Sequence, residues 1–525
     1  MSTAPKLTAP APEPAAGRSF HRELGLFDST MLVAGSMIGS GIFIVSADIA
    51  RDVGSAGWLL VVWLLTGVMT VIGSLVYAEL AAMMPHAGGQ YVFLREAYSP
   101  LWGFLYGWTV FTVIQTGSIA AVGVAFAKFL GVLVPALGTD HILFRISDLD
   151  ISWSFPMPWM DEPLVFFQRQ EFTISAGQLV GVVVVALLTY VNCRGVGAGK
   201  RVQNAFTVAK TAGLLALILV GLTVAANLDV IRANFGNLWG GIRETERFVG
   251  VQRLLPLGEG MIVAMVLGGA MVGSLFSADA WNNITFTAGE IKDPRRNLPR
   301  SLVLGAGLVI GLYLLANVAY LTTLPIHGVE NAATPFERGI AHAKDDRVGT
   351  AVLEIASPNL GVALMAIAIM ISTFGCVNGM TLMGARLYYA MAQDRLFFQA
   401  VGRLNGRGVP AVGLILQGVW SAVLVFTGTY SELLDYVIFA ALFFYVLTAV
   451  GLFVLRRKQP HLERPYRTWG YPVIPALYAT LCALIMVDLL VVKPVYTWPG
   501  LILVLSGIPI YFLWRMRSRR AGSAA

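Results

Sequence analysis

Cysteine, histidine and charged residues are all scarce in this chain of 525 residues. The three cysteines, Cys193, Cys376 and Cys482, lie in or at the ends of long apolar segments, which excludes a disulfide framework outside the cytoplasm. The six histidines lie in loops or tails without metal-ligand spacing, and no phosphate-binding Walker loop occurs. These absences disfavour a metalloenzyme and an ATP-driven pump, and we expect neither a metal nor a cofactor.

Only 13% of the residues are charged, whereas 56% are hydrophobic and the mean hydropathy is +0.70. This composition is typical of a polytopic membrane protein, so we expect an all-α chain in the lipid bilayer with about twelve spans of about 20 residues each. The predicted spans lie near residues 26–50, 57–84, 101–134, 174–191, 203–226, 259–288, 301–324, 358–392, 411–428, 433–455, 472–492 and 497–515.

The net charge of +7 could indicate a nucleic-acid partner, but its distribution argues against one. Lysine and arginine are concentrated in the loops on one side of the predicted spans, as is typical of loops that face the cytoplasm. With an even number of spans, both termini lie on that side. The basicity therefore predicts topology: a multi-pass protein of the cytoplasmic (inner) membrane with both termini in the cytoplasm.

The first span is interrupted at its centre by the glycine- and serine-rich stretch GSMIGSGIF at residues 35–43. Backbone that leaves the helix inside a bilayer needs new hydrogen-bond partners, so such a break exposes amide and carbonyl groups. A helix that resumes after Gly41 would begin with unpaired N–H groups, which suit a small carboxylate. The alternative is that glycine and serine merely allow two helices to pack closely.

A second interruption lies in the sixth span, where Asp279, Asn282 and Asn283 would be costly in a helix that faces lipid. Breaks in the first and sixth spans occupy corresponding positions of two five-span halves, a pattern that indicates an inverted-repeat secondary transporter. We expect a disordered cytoplasmic tail at 1–22, one half at 23–226 with a long external loop at 134–175, the other half at 227–458, and two further spans with a basic tail at 459–525.

The two breaks also suggest a ligand. Amide groups after Gly41 would face carbonyl groups at Met37 and near Phe276, and donors opposite acceptors suit a zwitterion such as an α-amino acid. Lys210, two turns into the fifth span, is a functional candidate because it is ionisable within a span. Its alternative role is to reach the cytoplasmic edge of the membrane.

Several motifs resemble one known family. They are GSGIF at 39–43, YAEL at 77–80, GGQY at 88–91, PRRNLP at 294–299 and FGCVNG at 374–379. In this order they resemble the amino acid–polyamine–organocation superfamily and, within it, a bacterial form of the L-type amino acid transporter branch. The resemblance covers roughly residues 26–467. It implies the leucine-transporter fold, a 5+5 inverted repeat with two additional C-terminal helices.

The resemblance also implies roles for individual residues. Ser40 and Gly41, with Ile38 and Gly39 beside them, would bind the substrate carboxylate through backbone amides. Met37 and Phe276 would offer carbonyl groups to the amine, and the Phe276 ring, next to Ser277, would act as a lid. The residues expected to line the side-chain pocket are Ser118, Val122 and Phe439.

The residues expected to control coupling and gating are Lys210, Cys376, Phe276 and Trp281. Lys210 would replace the sodium ion of sodium-driven relatives and tie the first break to the eighth span near Cys376. Asp279 would contact the amine or take part in proton coupling, and Trp281 is a gate candidate. A lysine ammonium in that place disfavours sodium, and both exchange and proton symport stay open.

The chain departs from the animal members of this branch in one respect. It lacks the cysteine after the third span that joins them to a glycoprotein, so we expect no disulfide-linked heavy chain. The main prediction is a carrier of neutral amino acids, and a cationic amino acid or polyamine carrier is the alternative of the same class. A membrane-embedded enzyme, a channel and a transceptor are alternatives of other classes, and the missing catalytic patterns disfavour the enzyme.

Overall fold

The computed structural model describes residues 20–147, 149, 151–155, 164–169, 171–254, 257–426 and 430–522. Most of the predicted disordered tail, residues 1–19, lies outside the described residues. The helices are α1 (Leu26–Met37), α2 (Val45–Val53), α3 (Ala56–Met83), α4 (Gln90–Ala97), α5 (Pro100–Thr109), α6 (Gln115–Leu133), α7 (Ala176–Cys193), α8 (Val196–Leu222), α9 (Leu228–Gly236), α10 (Glu246–Leu254), α11 (Glu259–Ser277), α12 (Pro294–Thr323), α13 (Pro335–Arg338), α14 (Val348–Ala356), α15 (Pro358–Gln393), α16 (Ala411–Val425), α17 (Tyr430–Lys458), α18 (Val473–Val492) and α19 (Pro494–Gly522).

Four short strands lie in the segment between α6 and α7. They are β1 (Ile142–Ile146), β2 (Ile151–Phe155), β3 (Leu164–Arg169) and β4 (Phe172–Ser175). β1 pairs antiparallel with β4, and β2 pairs antiparallel with β3 between them in the chain. The all-α prediction is therefore confirmed for the spans. It did not include these four strands, in which backbone groups outside the helices form hydrogen bonds with one another.

Local sequence signals mark where several spans begin. Pro100, Pro294 and Pro358 each occupy the first turn of a helix, where the missing N–H of proline costs nothing. α7 starts with a capping box: the Gln178 amide donates to Ser175 Oγ at 3.2 Å, and the Ser175 amide donates to the Gln178 side chain at 2.8 Å. The strand β4 therefore passes directly into α7.

Ten helices of the described residues are long and apolar enough to cross a membrane. They are Ala56–Met83, Pro100–Leu133, Ala176–Cys193, Val196–Leu222, Glu259–Glu290, Pro294–Thr323, Pro358–Gln393, Val437–Lys458, Val473–Val492 and Thr497–Met516. The first predicted span is divided between α1 and α2, and the ninth corresponds to α16, which has 15 residues. The chain is a polytopic helical membrane protein, and the count of twelve spans stays a prediction.

Spans that lie five apart in sequence pack against each other. α3 packs on α12, α6 on α15, and α7 on α16, while the broken first span contacts α11. In these four of the five possible pairs a span meets its counterpart, as expected for two halves related by a five-span offset. The architecture agrees with the predicted 5+5 arrangement, and the domain boundaries drawn from the sequence stay predictions.

Candidate functional site

The first span is interrupted where its sequence predicts. α1 ends at Met37, and the Ile38 amide makes the last bond back to Ala34. Residues 38–40 are not helical, a single turn of 3-10 helix follows at Gly41–Phe43, and α2 begins at Val45. Because the break is buried, each backbone group that leaves the helix needs a partner there.

Lys210 of α8 supplies the partners for two carbonyl groups. Its side chain is only 2% exposed, and its ammonium donates to the carbonyl oxygen of Gly35, to that of Ile38 at 2.7 Å and to that of Ser372 at 3.3 Å. Gly35 and Ile38 belong to the end of α1, and Ser372 belongs to α15. A cation at the negative C-terminal end of a helix is electrostatically favourable, so Lys210 holds the break against the eighth span.

Hydroxyl and thiol groups from α12 and α15 cap further carbonyl groups of the break. Ser372 Oγ donates to Ile38 at 3.1 Å and to Gly39 at 2.9 Å, Cys376 Sγ to Ser36 at 3.0 Å, and the Tyr320 hydroxyl to Ile42 at 3.2 Å. Side chains from three different helices therefore satisfy the carbonyl groups of the interruption.

The amide groups of the break differ from its carbonyl groups. The N–H groups of Gly39, Gly41 and Ile42 donate no hydrogen bond to any residue that the structure describes, although all three residues are buried. A buried donor without an acceptor is costly. The break is consequently short of acceptors, and a helix start of this kind is suited to an anionic group such as a carboxylate.

The second predicted interruption, in the sixth span, is also present. α11 ends at Ser277, Ala280 adopts a positive φ of 66°, and a 3-10 segment runs from Trp281 to Glu290. A positive φ is unusual for a residue other than glycine and marks a constrained backbone. The Tyr313 hydroxyl of α12 contacts both breaks, because it lies 3.0 Å from the carbonyl oxygen of Met37 and 3.1 Å from that of Ser277.

A cavity of about 20 Å³ lies between the two breaks. This volume holds about one water molecule, so the site is closed and must widen before a larger molecule can enter. The lining residues are Ser36, Met37, Gly39, Ser40, Gly41, Ser118, Val122, Phe276, Ser277, Asp279, Ala280, Cys376 and Met380. Most of the residues predicted from the sequence to bind substrate therefore lie around one cavity.

Four predicted residues lie apart from this lining. Ile38 turns its carbonyl group to Lys210 and Ser372, and Lys210 itself lies behind the break. Phe439 is buried in α17 without reaching the cavity. Trp281 packs edge-to-face on Tyr77, with ring centroids 4.8 Å apart, and its gate role stays a prediction.

Asp279 lies where three small cavities meet. It lines the central cavity and two neighbouring cavities of about 10 and 20 Å³. Its carboxylate accepts a hydrogen bond from the Tyr445 hydroxyl of α17, and no lysine or arginine of the described residues forms an ion pair with it. Asp279 is thus a half-buried acid that borders the site, and it has no cationic partner among the described residues.

The sequence analysis missed Tyr313, Ser372 and Met380. Tyr313 had one signal: Asn317 and Tyr320 follow it at intervals of four and seven residues, which places three polar side chains on one face of an apolar helix. Ser372 and Met380 had no such signal, because serine and methionine are common in packed membrane helices.

Comparison with known families decides what kind of protein carries this site. The family model described as amino acid permease matches residues 24–513. The chain belongs to the amino acid permease family. The predicted membership of the amino acid–polyamine–organocation superfamily and of its L-type branch is confirmed by this match together with the relatives described next.

Three relatives cover most of the permease. Human large neutral amino acids transporter small subunit 2 is 28% identical over 498 residues, which is 95% of this chain and 81% of the relative. Mouse b(0,+)-type amino acid transporter 1 is 27% identical over 94% of the chain and 88% of the relative. Mouse Asc-type amino acid transporter 1 is 28% identical over 95% and 82%, respectively. All three are named as transporters, in agreement with the prediction that the chain is not an enzyme.

Replacing Lys210 with methionine should destabilise the first break. The Lys210→Met variant leaves the buried carbonyl groups of Gly35 and Ile38 with fewer donors, at a cost of about 1–3 kcal/mol. We expect a lower melting temperature in detergent and loss of amino acid uptake in liposomes. The control is Lys128→Met, because Lys128 of α6 donates to the backbone carbonyl oxygen of Asp345 at 3.1 Å, away from the break. Equal melting temperatures for the two variants would contradict the role of Lys210.

Replacing Gly41 with alanine should block the permease by a steric clash. The added Cβ would lie 2.0 Å from Ser277 Oγ and 2.8 Å from Ser277 Cβ. Because overpacking costs about 1–3 kcal/mol, we expect uptake to fall about tenfold or more. The double variant Gly41→Ala/Ser277→Gly should regain part of the uptake, and Gly311→Ala, whose Cβ would meet nothing within 4 Å, should keep all of it. Normal uptake by Gly41→Ala alone would refute this explanation.

Proposed function

We propose that this permease is a sodium-independent secondary transporter of L-α-amino acids, neutral ones above all, in the cytoplasmic membrane. The observation that carries the proposal is the first break, whose carbonyl groups are capped by protein side chains while the amides of Gly39, Gly41 and Ile42 have no acceptor in the described chain. An amino acid carboxylate supplies that acceptor. The name of the human relative, a large neutral amino acids transporter, supports the substrate class.

In the proposed complex the carboxylate lies against the amides of the first break. The ammonium lies between the carbonyl ends of α1 and α11, which carry partial negative charge, with Asp279 beside them. The substrate side chain extends towards Ser118 and Val122, which line the same cavity. Phe276 lies at the end of α11 and serves as the lid.

Transport then requires the closed cavity of about 20 Å³ to open alternately to each side. We expect the first, second, sixth and seventh spans to rock against the third, fourth, eighth and ninth around the site. Lys210 spans this division, because α8 contacts α1 and α15 through its ammonium. Its charge takes the place of a sodium ion, which leaves exchange and proton symport as the modes of transport.

We place both termini in the cytoplasm, because the basic loops then face the inside. The partners are the amino acid, the lipid bilayer and, for symport, the proton. We expect no disulfide-linked heavy chain: Cys193, Cys376 and Cys482 are unpaired within the described chain, and none lies in the segment after α6.

A cationic amino acid is the second candidate substrate. Asp279 is half-buried beside the cavity and has no cationic partner in the described part of the chain, so it can bind a second positive charge on the substrate. The name of the mouse b(0,+)-type relative gives a class of amino acid transporter, so it supports the family and not the charge of the substrate.

The proposal is tested by uptake of labelled leucine, alanine and arginine into liposomes that hold the purified protein, in sodium-free buffer. We expect uptake of leucine or alanine. Uptake that needs internal amino acid indicates exchange, and uptake driven by an inward proton gradient alone indicates symport. If none of the three amino acids enters under any condition, the proposal is wrong.

The variant Asp279→Asn separates the two substrate classes. If the neutral class is correct, the asparagine variant keeps measurable leucine uptake, lowered only by the weaker contact of residue 279 with the substrate ammonium, because the leucine side chain carries no charge that needs Asp279. If arginine is the substrate, its uptake is abolished. The control is Asp488→Asn, since Asp488 is a buried acid of α18 that does not line the central cavity.

A further inference from the structure

A second cavity, which we call the outer cavity, lies at the C-terminal end of α6, on the side of the membrane that we assign to the exterior. Its volume is about 460 Å³. Small-molecule sites in proteins have volumes of about 300–1,000 Å³, so a small molecule fits this cavity without any widening. No described residue lines both the outer cavity and the central one, so the proposed transport of amino acids does not account for it.

The charge of the outer cavity is positive on balance. Four basic and three acidic side chains line it. Two of the acids already face arginines, because Asp345 forms an ion pair with Arg347 and Glu354 lies 3.8 Å from Arg338. The third acid, Asp140, is exposed, so solvent and salt screen its charge. The cavity therefore favours an anion.

The start of α14 forms one wall of the outer cavity. Four residues from Arg347 to Glu354 line the cavity at the spacing of one helix face. Arg347 occupies the N-cap position, and its side chain makes no capping hydrogen bond. The N–H groups of Val348, Gly349 and Thr350 donate to no residue that the structure describes. The wall therefore presents the positive end of a helix dipole, with donors that lack acceptors.

Side chains that line the outer cavity add buried donors without acceptors. Thr350 is 6% exposed and Arg338 is 8% exposed, yet Thr350 Oγ1 and Arg338 Nε form no hydrogen bond within the described chain. Arg347 Nε is buried and lacks a partner there as well. Arg338 Nη1 donates to the carbonyl oxygens of Ala332 and Ala333 at 2.9 and 3.0 Å, which holds its guanidinium in place. Buried donors without acceptors are costly, and the oxygens of an anion relieve that cost.

The helix α14 also connects the outer cavity to the first break. Gly349 packs so closely on the break that a Cβ there would lie 3.0 Å from Phe43 Cδ1. The segment before α14 is tied to α2, because Arg51 donates at 2.7 Å to the carbonyl oxygen of Ala341 and at 2.7 Å to the Asp346 carboxylate. An anion at the start of α14 thus holds a helix that packs on the first break.

We propose that the outer cavity binds an oxyanion of the phosphate type, held by Arg338, Arg347, Thr350 and the amides that begin α14. Three side-chain donors and three backbone amides without partners suit the several oxygens of a phosphate group better than the two of a carboxylate. The group comes from free phosphate outside the cell or from the headgroup of an anionic phospholipid. The lipid is within reach because α15 begins beside the cavity and exposes Leu360 and Leu364.

The test measures thermal unfolding of the full-length permease in detergent while inorganic phosphate replaces chloride at constant ionic strength. Because a ligand of the folded state raises the melting temperature, we expect phosphate to raise that of the wild type until the effect saturates. Arg347→Gln and Thr350→Val should each weaken the apparent affinity for phosphate about tenfold. The matched control is Arg243→Gln, since Arg243 pairs with Glu259 at 3.0 Å and does not line the outer cavity. Its affinity for phosphate should equal that of the wild type.

The variant Thr350→Val keeps the test decisive if Arg347→Gln folds poorly. Valine has nearly the shape of threonine, and the lost hydroxyl has no partner in the described chain, so the melting temperature without phosphate should not fall. A weaker response to phosphate in this variant therefore reports the loss of a contact with the ligand.

Two kinds of lipid nanodisc distinguish the sources of the phosphate group. If lipid is the source, phosphatidylglycerol nanodiscs raise the melting temperature above that in phosphatidylcholine nanodiscs, and added phosphate has no further effect. If free phosphate is the source, it raises the melting temperature equally in both. If neither phosphate nor phosphatidylglycerol stabilises the wild type more than Arg347→Gln and Thr350→Val, the inference is wrong. Amino acid uptake does not enter this measurement, so a failure of the proposed function leaves the inference standing.

Discussion

The hydrogen bonds from Lys210 to the end of α1 are the interaction on which the site depends. A helix can stop in the middle of a membrane only if the backbone groups that it releases find partners within the protein. Lys210 from α8, Ser372 and Cys376 from α15, and tyrosines from α12 supply those partners. The interruption consequently requires three other spans to lie at fixed positions around it, and those spans come from both halves of the chain.

These caps also explain the polarity of the site. Every capping group is a donor, so it satisfies carbonyl oxygens and leaves the amides of Gly39, Gly41 and Ile42 untouched. A site built in this way favours an anion at these amides, between α1 and α2, and a cation where α1 and α11 end. The zwitterionic form of an amino acid matches that order of charges, and the small cavity between the breaks matches a closed state.

Much of this arrangement could be predicted from the sequence, for identifiable reasons. Both breaks could be located because they place residues that are costly in lipid within apolar segments. These are glycines and serines in the first span, and Asp279 with two asparagines in the sixth. Lys210 was found because an ionisable residue within a span needs a role. Tyr313 and Ser372 were missed since their side chains are common in packed helices, and their partners are backbone oxygens that a sequence does not display. The strands β1–β4 were missed because their pairing joins segments on either side of a long loop.

The close approach of Gly41 to Ser277 has a consequence for redesigning this permease. At this point the backbones of the two broken helices are so near that a Cβ on residue 41 would lie 3.2 Å from the Cα of Ser277. In a mutant library aimed at new substrates, most substitutions at positions 41 and 277 would be lost to steric clashes, because a larger residue at one position requires a smaller one at the other. The side chains of Ser118, Val122 and Met380, on the scaffold spans around the same cavity, are the places where shape can be varied without separating the helices.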